Sequence, residues 1–242
     1  YGSTEEANFR TKHLNEWVSS SDVWIRDEDW MKSGAEPIDI DPKTLTWYGG
    51  LDLAAVSDFC CLVLVAELPD GEMLARRWYW LPESAWDKRM DKEQSSIHMD
   101  MLDLPYFFLS PGNVTDYQAL RRTISGYYVQ DGTVKHDTSC IMDQYNVGSI
   151  SFDRWNSSTL VTQLTGDGVL MAPIGMGYAS QSAPLRELER LILEKKLIHE
   201  ADPVLRWMIR NVMIQRDPAG NIKLDKARSQ DKIDGVMALN CA

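Results

Sequence analysis

Asp52, Asp153, Asp231 and Asp234 carry most of the chemistry this sequence offers. Asp52 closes the strand-like run Trp47-Tyr48-Gly49-Gly50-Leu51-Asp52-Leu53, where it is the sole charge. Asp153 follows a second short strand over 148–152, and Asp231 and Asp234 open the last amphipathic segment. Carboxylates are hard oxygen donors, so separated acids brought together on a rigid sheet can hold divalent cations such as Mg²⁺ or Mn²⁺. Plainer roles compete with this one: Asp52 as a turn cap, Asp153 as a partner of Arg154, Asp231 as a helix-dipole charge. Asp234 is flanked by Ile233, Gly235, Val236 and Met237. That context sets it on the packed side of a helix, where a carboxylate needs a cation or hydrogen-bond donors.

Other chemistries find little support. The chain has neither G-x-x-x-x-G-K-[ST] nor G-x-G-x-x-G, so ATP hydrolysis is not expected of it. His13, His98, His136 and His199 show no zinc-type spacing, and no serine sits in a nucleophile elbow. Cys60 and Cys61 are adjacent within a strand and point to opposite faces, which suits buried free thiols.

The elements that must position the acids alternate along the chain. Periodicity predicts helices over 4–19 and 27–34, a proline-punctuated linker over 36–42, and a body starting near Thr44. Strands over 59–68 and 72–81, joined at Asp70-Gly71, read as a hairpin with a primed turn. A helix over 83–102 and an aromatic loop over 104–111 follow. Helices are then expected from Thr115, as cap, through Val129, and over 139–145, 156–164 and 184–197. Asp202-Pro203 starts another, and a last one begins at Ser229. Short strands over 148–152, 169–172 and 212–215 separate them. The class is α/β: a mixed sheet flanked by helices, with a short helical extension over 1–43 and the main domain over 44–242.

A length of 242 residues with 44% hydrophobic content is ample for one large core. No apolar run suits a membrane span, and the amino terminus shows no export pattern. The net charge of −11 argues against a strongly DNA-binding surface, yet it is uneven. Residues 1–183 hold 14 Lys and Arg against 27 Asp and Glu, whereas residues 184–232 hold 11 against 8. That basic stretch supplies candidate phosphate contacts in Lys232, Arg206, Arg210, Lys226 and Arg228.

The order of the acids, strand first and helix last, is that of metal-dependent nucleases of the ribonuclease H-like type. Several segments sharpen the likeness: Asn8-Phe9-Arg10 through Val18, Gly50-Leu51-Asp52-Leu53 with Ser57-Asp58, Trp80-Leu81-Pro82-Glu83, and Phe152-Asp153-Arg154-Trp155-Asn156. Leu188-Glu189 through His199 and Asp231-Lys232-Ile233-Asp234-Gly235-Val236-Met237-Ala238-Leu239 complete the set. In this order they resemble the C-terminal nuclease domain of the large terminase subunit of tailed bacteriophages, of the HK97-like type. The resemblance implies a ribonuclease H-like fold that cuts double-stranded viral DNA during packaging, by two-metal hydrolysis with Mg²⁺ or Mn²⁺. It makes Asp52, Asp153 and Asp234 the metal-binding acids, with Asp231 a fourth candidate. It implies the extension as a link to an ATPase domain, portal and small terminase subunit as partners, no membrane contact, and the host cytoplasm as compartment. A resolvase or transposase core and a non-catalytic docking module stay open as other readings.

Overall fold

The structure is a computed structural model and describes residues 24–54, 56, 58–90, 99–156, 159–229 and 231–242. The helix expected over 4–19 lies outside these residues. Alternating apolar side chains build the expected meander, in which β1 (Thr46–Asp52), β2 (Cys60–Glu67) and β3 (Met73–Pro82) pair antiparallel. Cys60 and Cys61 enter the cores on opposite sides of the sheet, as their alternation demands. The hairpin loop departs from the primed turn. Gly71 alone takes positive φ (82°), and the Gly71 N–H reaches the Leu68 carbonyl at 2.9 Å. A normal turn followed by a left-handed glycine connects the strands instead.

Beyond the meander come β4 (Phe107–Ser110), β5 (Tyr127–Gln130), β6 (Thr133–His136), β7 (Asn146–Asp153), β8 (Met171–Ile174), β9 (Leu197–Ile198), β10 (Ile214–Arg216) and β11 (Ile222–Leu224). The main sheet runs β4-β3-β2-β1-β7-β8, with β9 also on β3, and β7 and β8 join it parallel. The helices are α1 (Asp27–Lys32), α2 (Glu83–Met90), α3 (Tyr117–Ser125), α4 (Ile141–Gln144), α5 (Thr159–Gly166), α6 (Tyr178–Leu193), α7 (Pro203–Asn211) and α8 (Asp234–Cys241). One core joins α6, α7 and α8 to one face of the sheet, and the other joins α3, α4 and α5 to the opposite face. This is the mixed sheet flanked by helices expected of the sequence. No helix among the described residues is long and apolar enough to cross a membrane.

Several boundaries differ from the periodicity. The aromatic loop over 104–111 contains β4, which extends β3 in parallel because Phe107 buries there. Asp116, not Thr115, caps α3, accepting from the Gln118 and Ala119 N–H groups. Gly126 ends that helix with φ 83°, and the β5–β6 hairpin replaces its expected last turn. α6 starts at Tyr178 and contains Pro184 within it. α8 starts at Asp234 rather than Ser229, since Asp225 folds the preceding residues into a turn. Residues 24–43 pack onto the body: Trp24, Ile25 and Trp30 enter the core, and Trp30 stacks on His199 at 4.0 Å.

Candidate metal centre

β1 and β7 run parallel, with Leu51 opposite Phe152. The next residues, Asp52 and Asp153, therefore follow a shared register to the carboxyl ends of neighbouring strands, the edge of an open sheet where ligands commonly bind. Asp234 arrives from the first turn of α8, which packs across β1 and β2. That approach depends on absent side chains. A Cβ on Gly50 would lie 1.9 Å from the Ala238 carbonyl oxygen. One on Gly235 would lie 2.9 Å from Met208 Sδ, which accepts from the Gly235 N–H at 3.0 Å.

A cation stands between the two buried acids. Lys226 Nζ donates to Asp52 Oδ2 at 2.6 Å and to Asp234 Oδ1 at 2.8 Å. Its position is built locally: Asp225 Oδ1 accepts from the Ala227 and Arg228 N–H groups, both at 3.1 Å, and Ser229 Oγ ties the turn to the Met213 N–H at 3.1 Å. Asp52 is 6% exposed and Asp234 2%, while the Lys226 side chain is 45% exposed. Burial pushes the Asp52 carboxyl up to about 7; Lys226 pulls it down, and the charges of Asp234 and Asp153 add to the rise. Burial also works against the Lys226 charge, but the two carboxylates outweigh it and hold the ammonium protonated beyond its usual range. Asp234 Oδ2 is buried with no hydrogen-bond donor among the described residues. Two buried carboxylates, a spare oxygen between strand ends and a half-exposed counter-cation fit a divalent ion that displaces the lysine.

The other candidates are less uniform. Asp153 is half-buried at the end of β7, where Oδ1 accepts the Trp155 N–H at 3.1 Å rather than pairing with Arg154. Asp231 turns to Arg89 at 2.9 Å and to the Lys232 N–H at 2.9 Å, and among the described residues none of its hydrogen bonds joins it to the other acids. Lys226, read from sequence as a phosphate contact, is the acids' own partner. Lys232 pairs with Asp58, and Arg206 makes two bonds to Asp27 at 2.8 and 2.7 Å. The Asp27 carboxyl, held low first by that bonding to Arg206, also feels the charge of Arg210. Arg228 holds Asp225 only at 3.6 Å and stays largely exposed. Two features escaped sequence reading: Trp155, 83% exposed beside Asp153, and the bridging role of Lys226. A lysine eight residues before an acid carries no signal of its own, because only the Asp225 turn brings it back.

Comparison with known proteins converges on one group. The family described as "Terminase large subunit, endonuclease domain" matches residues 3–242. The large terminase subunit of Enterobacteria phage HK97 is 29% identical over 236 residues, which span 97% of this chain and 43% of that protein. The crystal structure of the HK97 large terminase superposes with a TM-score of 0.75 at 27% identity, covering 98% of this chain and 46% of the other. The large terminase nuclease from thermophilic phage G20c shares the fold at a TM-score of 0.50 and 14% identity, over 88% of this chain and 94% of its own. These neighbours make the fold ribonuclease H-like. The chain spans less than half the length of its HK97 relative.

Proposed function

Because the chain belongs to the family of terminase large-subunit endonuclease domains, we propose that it is a divalent-metal-dependent endonuclease that hydrolyses double-stranded viral DNA during genome packaging. The convergence of Asp52 and Asp234 on one cation at the end of β1, beside Asp153, is the observation that carries this reading. Asp52 and Asp234 would hold Mg²⁺ or Mn²⁺ from the buried side, and Asp153 from the open side. Ions bound there supply an activated water and neutralise charge at the leaving oxygen. The protein's own part is positional. Burial fixes Asp52 and Asp234, the Asp225 turn keeps Lys226 as a removable counter-charge, and the strand ends keep Asp153 in register. Arg154, at the start of a single 3-10 turn, and Arg228, in the turn after Asp225, lie near the acids in sequence and are exposed, where a DNA backbone can reach them. ATP hydrolysis is not expected of this chain, and a terminase ATPase domain, portal and small subunit are its proposed partners from the family relationship. The host cytoplasm is the expected compartment.

The same ion pair favours one rival: a docking module whose acids serve only Lys226. The unpartnered Asp234 Oδ2 weighs against it, since a purely structural pair leaves a buried oxygen uncompensated. Plasmid nicking with Mn²⁺ separates the two. The nuclease reading predicts cutting by the parent, none in chelator, and none by Asp52→Asn or Asp234→Asn. Undiminished nicking by both variants would assign the activity elsewhere.

A further inference from the structure

On the face of the sheet opposite α8, β6 and the start of α4 bring together three side chains that lie close in sequence and that the acid cluster does not use. His136, Cys140 and Asp143 each turn one ligand atom inward, and these atoms lie within 4.8 Å of one another. The sequence pattern is not a zinc signature; the turn between β6 and α4 creates the grouping.

The histidine is set for coordination. Its Nε2 lies 3.2 Å from the Ser125 carbonyl oxygen, which only accepts, so Nε2 carries a proton and donates. In the neutral ring this leaves the Nδ1 lone pair facing Asp143 Oδ2 at 3.7 Å. A proton or a metal ion between two such electron-rich atoms stabilises the arrangement. The ring's orientation is fixed twice more. Gly126 makes room for it, since a Cβ there would lie 2.5 Å from Nε2, and the edge of Tyr127 packs on it at 4.8 Å between centroids. A ligating histidine whose second nitrogen donates to a backbone carbonyl is the arrangement by which proteins orient metal-bound imidazole.

We propose that His136 Nδ1, Cys140 Sγ and the Asp143 carboxylate form a second metal site, for Zn²⁺, that clips the base of the β5–β6 hairpin to the start of α4. One imidazole nitrogen, one thiolate and one carboxylate match the borderline-soft preference of zinc, with solvent completing a four-coordinate shell. Burial and the charge of Asp143 keep the Cys140 thiol above its ordinary range without metal, so binding releases its proton to solvent. The tip of the hairpin it would anchor buries little: Val129 and Val134 face each other across it and are both exposed. The site is independent of the nuclease reading.

Co²⁺ titration of the purified chain tests the proposal, because a cobalt-bound thiolate gives a near-ultraviolet charge-transfer band that carboxylate ligation does not. The band is expected to saturate as Co²⁺ is added and to yield to Zn²⁺. It should persist in Asp52→Asn, vanish in Cys140→Ser, and need more than about tenfold higher Co²⁺ in His136→Ala and Asp143→Asn. Thermal melting in Zn²⁺ gives a second readout: the parent melting temperature rises by more than that of His136→Ala. His136 is exposed, so this variant carries the test even if Cys140→Ser fails to fold. Absence of the band in the folded parent, or its survival in Cys140→Ser, overturns the site. The latter outcome would transfer the thiolate to Cys241, which feels the charges of Asp52 and Asp153.

Discussion

Asp52 is charged at a cost, and that cost is testable apart from catalysis. Its carboxyl is raised from 3.8 to about 7, so between those values the folded chain holds a proton that the unfolded chain has released. Stability from this group is therefore present below about pH 4 and lost as pH rises through about 7. Asp52→Asn removes the penalty while weakening the bond to Lys226. The expected net gain at pH 8 is about 1–2 kcal/mol, or roughly 2–8 °C in melting temperature, shrinking toward zero at pH 5. The same variant is expected to lose cleavage, as functional sites often trade stability for chemistry. Melting curves at the two pH values check this; a destabilised variant at pH 8 would mean that the ion pair outweighs the burial penalty. Lys226→Ala makes a second prediction. If the ammonium holds the place of a metal ion, its removal tightens Mn²⁺ binding severalfold in calorimetric titration. Weaker binding would mean that the lysine assists the metal instead.

The elements meet at Gly50. α8 lies so close over β1 that a methyl group there would run into the Ala238 carbonyl oxygen, and helix backbone cannot yield as a flexible side chain does. Gly50→Ala is expected to destabilise by about 1–3 kcal/mol, as overpacking does, and to abolish cleavage by moving Asp234 away from Asp52. Urea unfolding and nicking of the same preparation check both effects; full activity would show that the helix shifts without harm. Sequence made much of this legible. The alternation through β2 and β3 announced a meander, and the lone charge in the Gly49–Leu53 run announced Asp52. Asp202-Pro203 marked the start of α7 as capping chemistry requires. What stayed hidden depends on distance in space. β4 is too short to show a period, Gly126 ends α3 through a backbone conformation, and Lys226 joins the acids through a turn closed by side-chain bonds. Asp231 read as either a helix-end charge or a fourth ligand, but α8 begins after it, which leaves it to Arg89.

For the molecule as a whole, a net charge of −11 sets the terms of DNA binding. Most of the basic candidates are already paired with local acids, so the isolated chain is expected to bind duplex DNA weakly, without sequence preference, and with a steep salt dependence. Arg154 has no ion pair among the described residues and Arg228 only a long one. Arg154→Ala and Arg228→Ala should each lower the slope of log K against log salt by about 1. Arg206→Ala should leave it unchanged, because Asp27 already engages that guanidinium. Fluorescence anisotropy at several salt concentrations decides this, and an equal loss in all three variants would move the DNA path toward α7.

The most direct measurement is an anomalous difference map from crystals of this chain soaked in Mn²⁺. A metal centre at the end of β1 predicts peaks bounded by Asp52, Asp234 and Asp153, with the Lys226 ammonium displaced toward solvent and Asp234 Oδ2 engaged. Lys226 still bridging Asp52 and Asp234, with no anomalous peak at the end of β1 under saturating Mn²⁺, would contradict it.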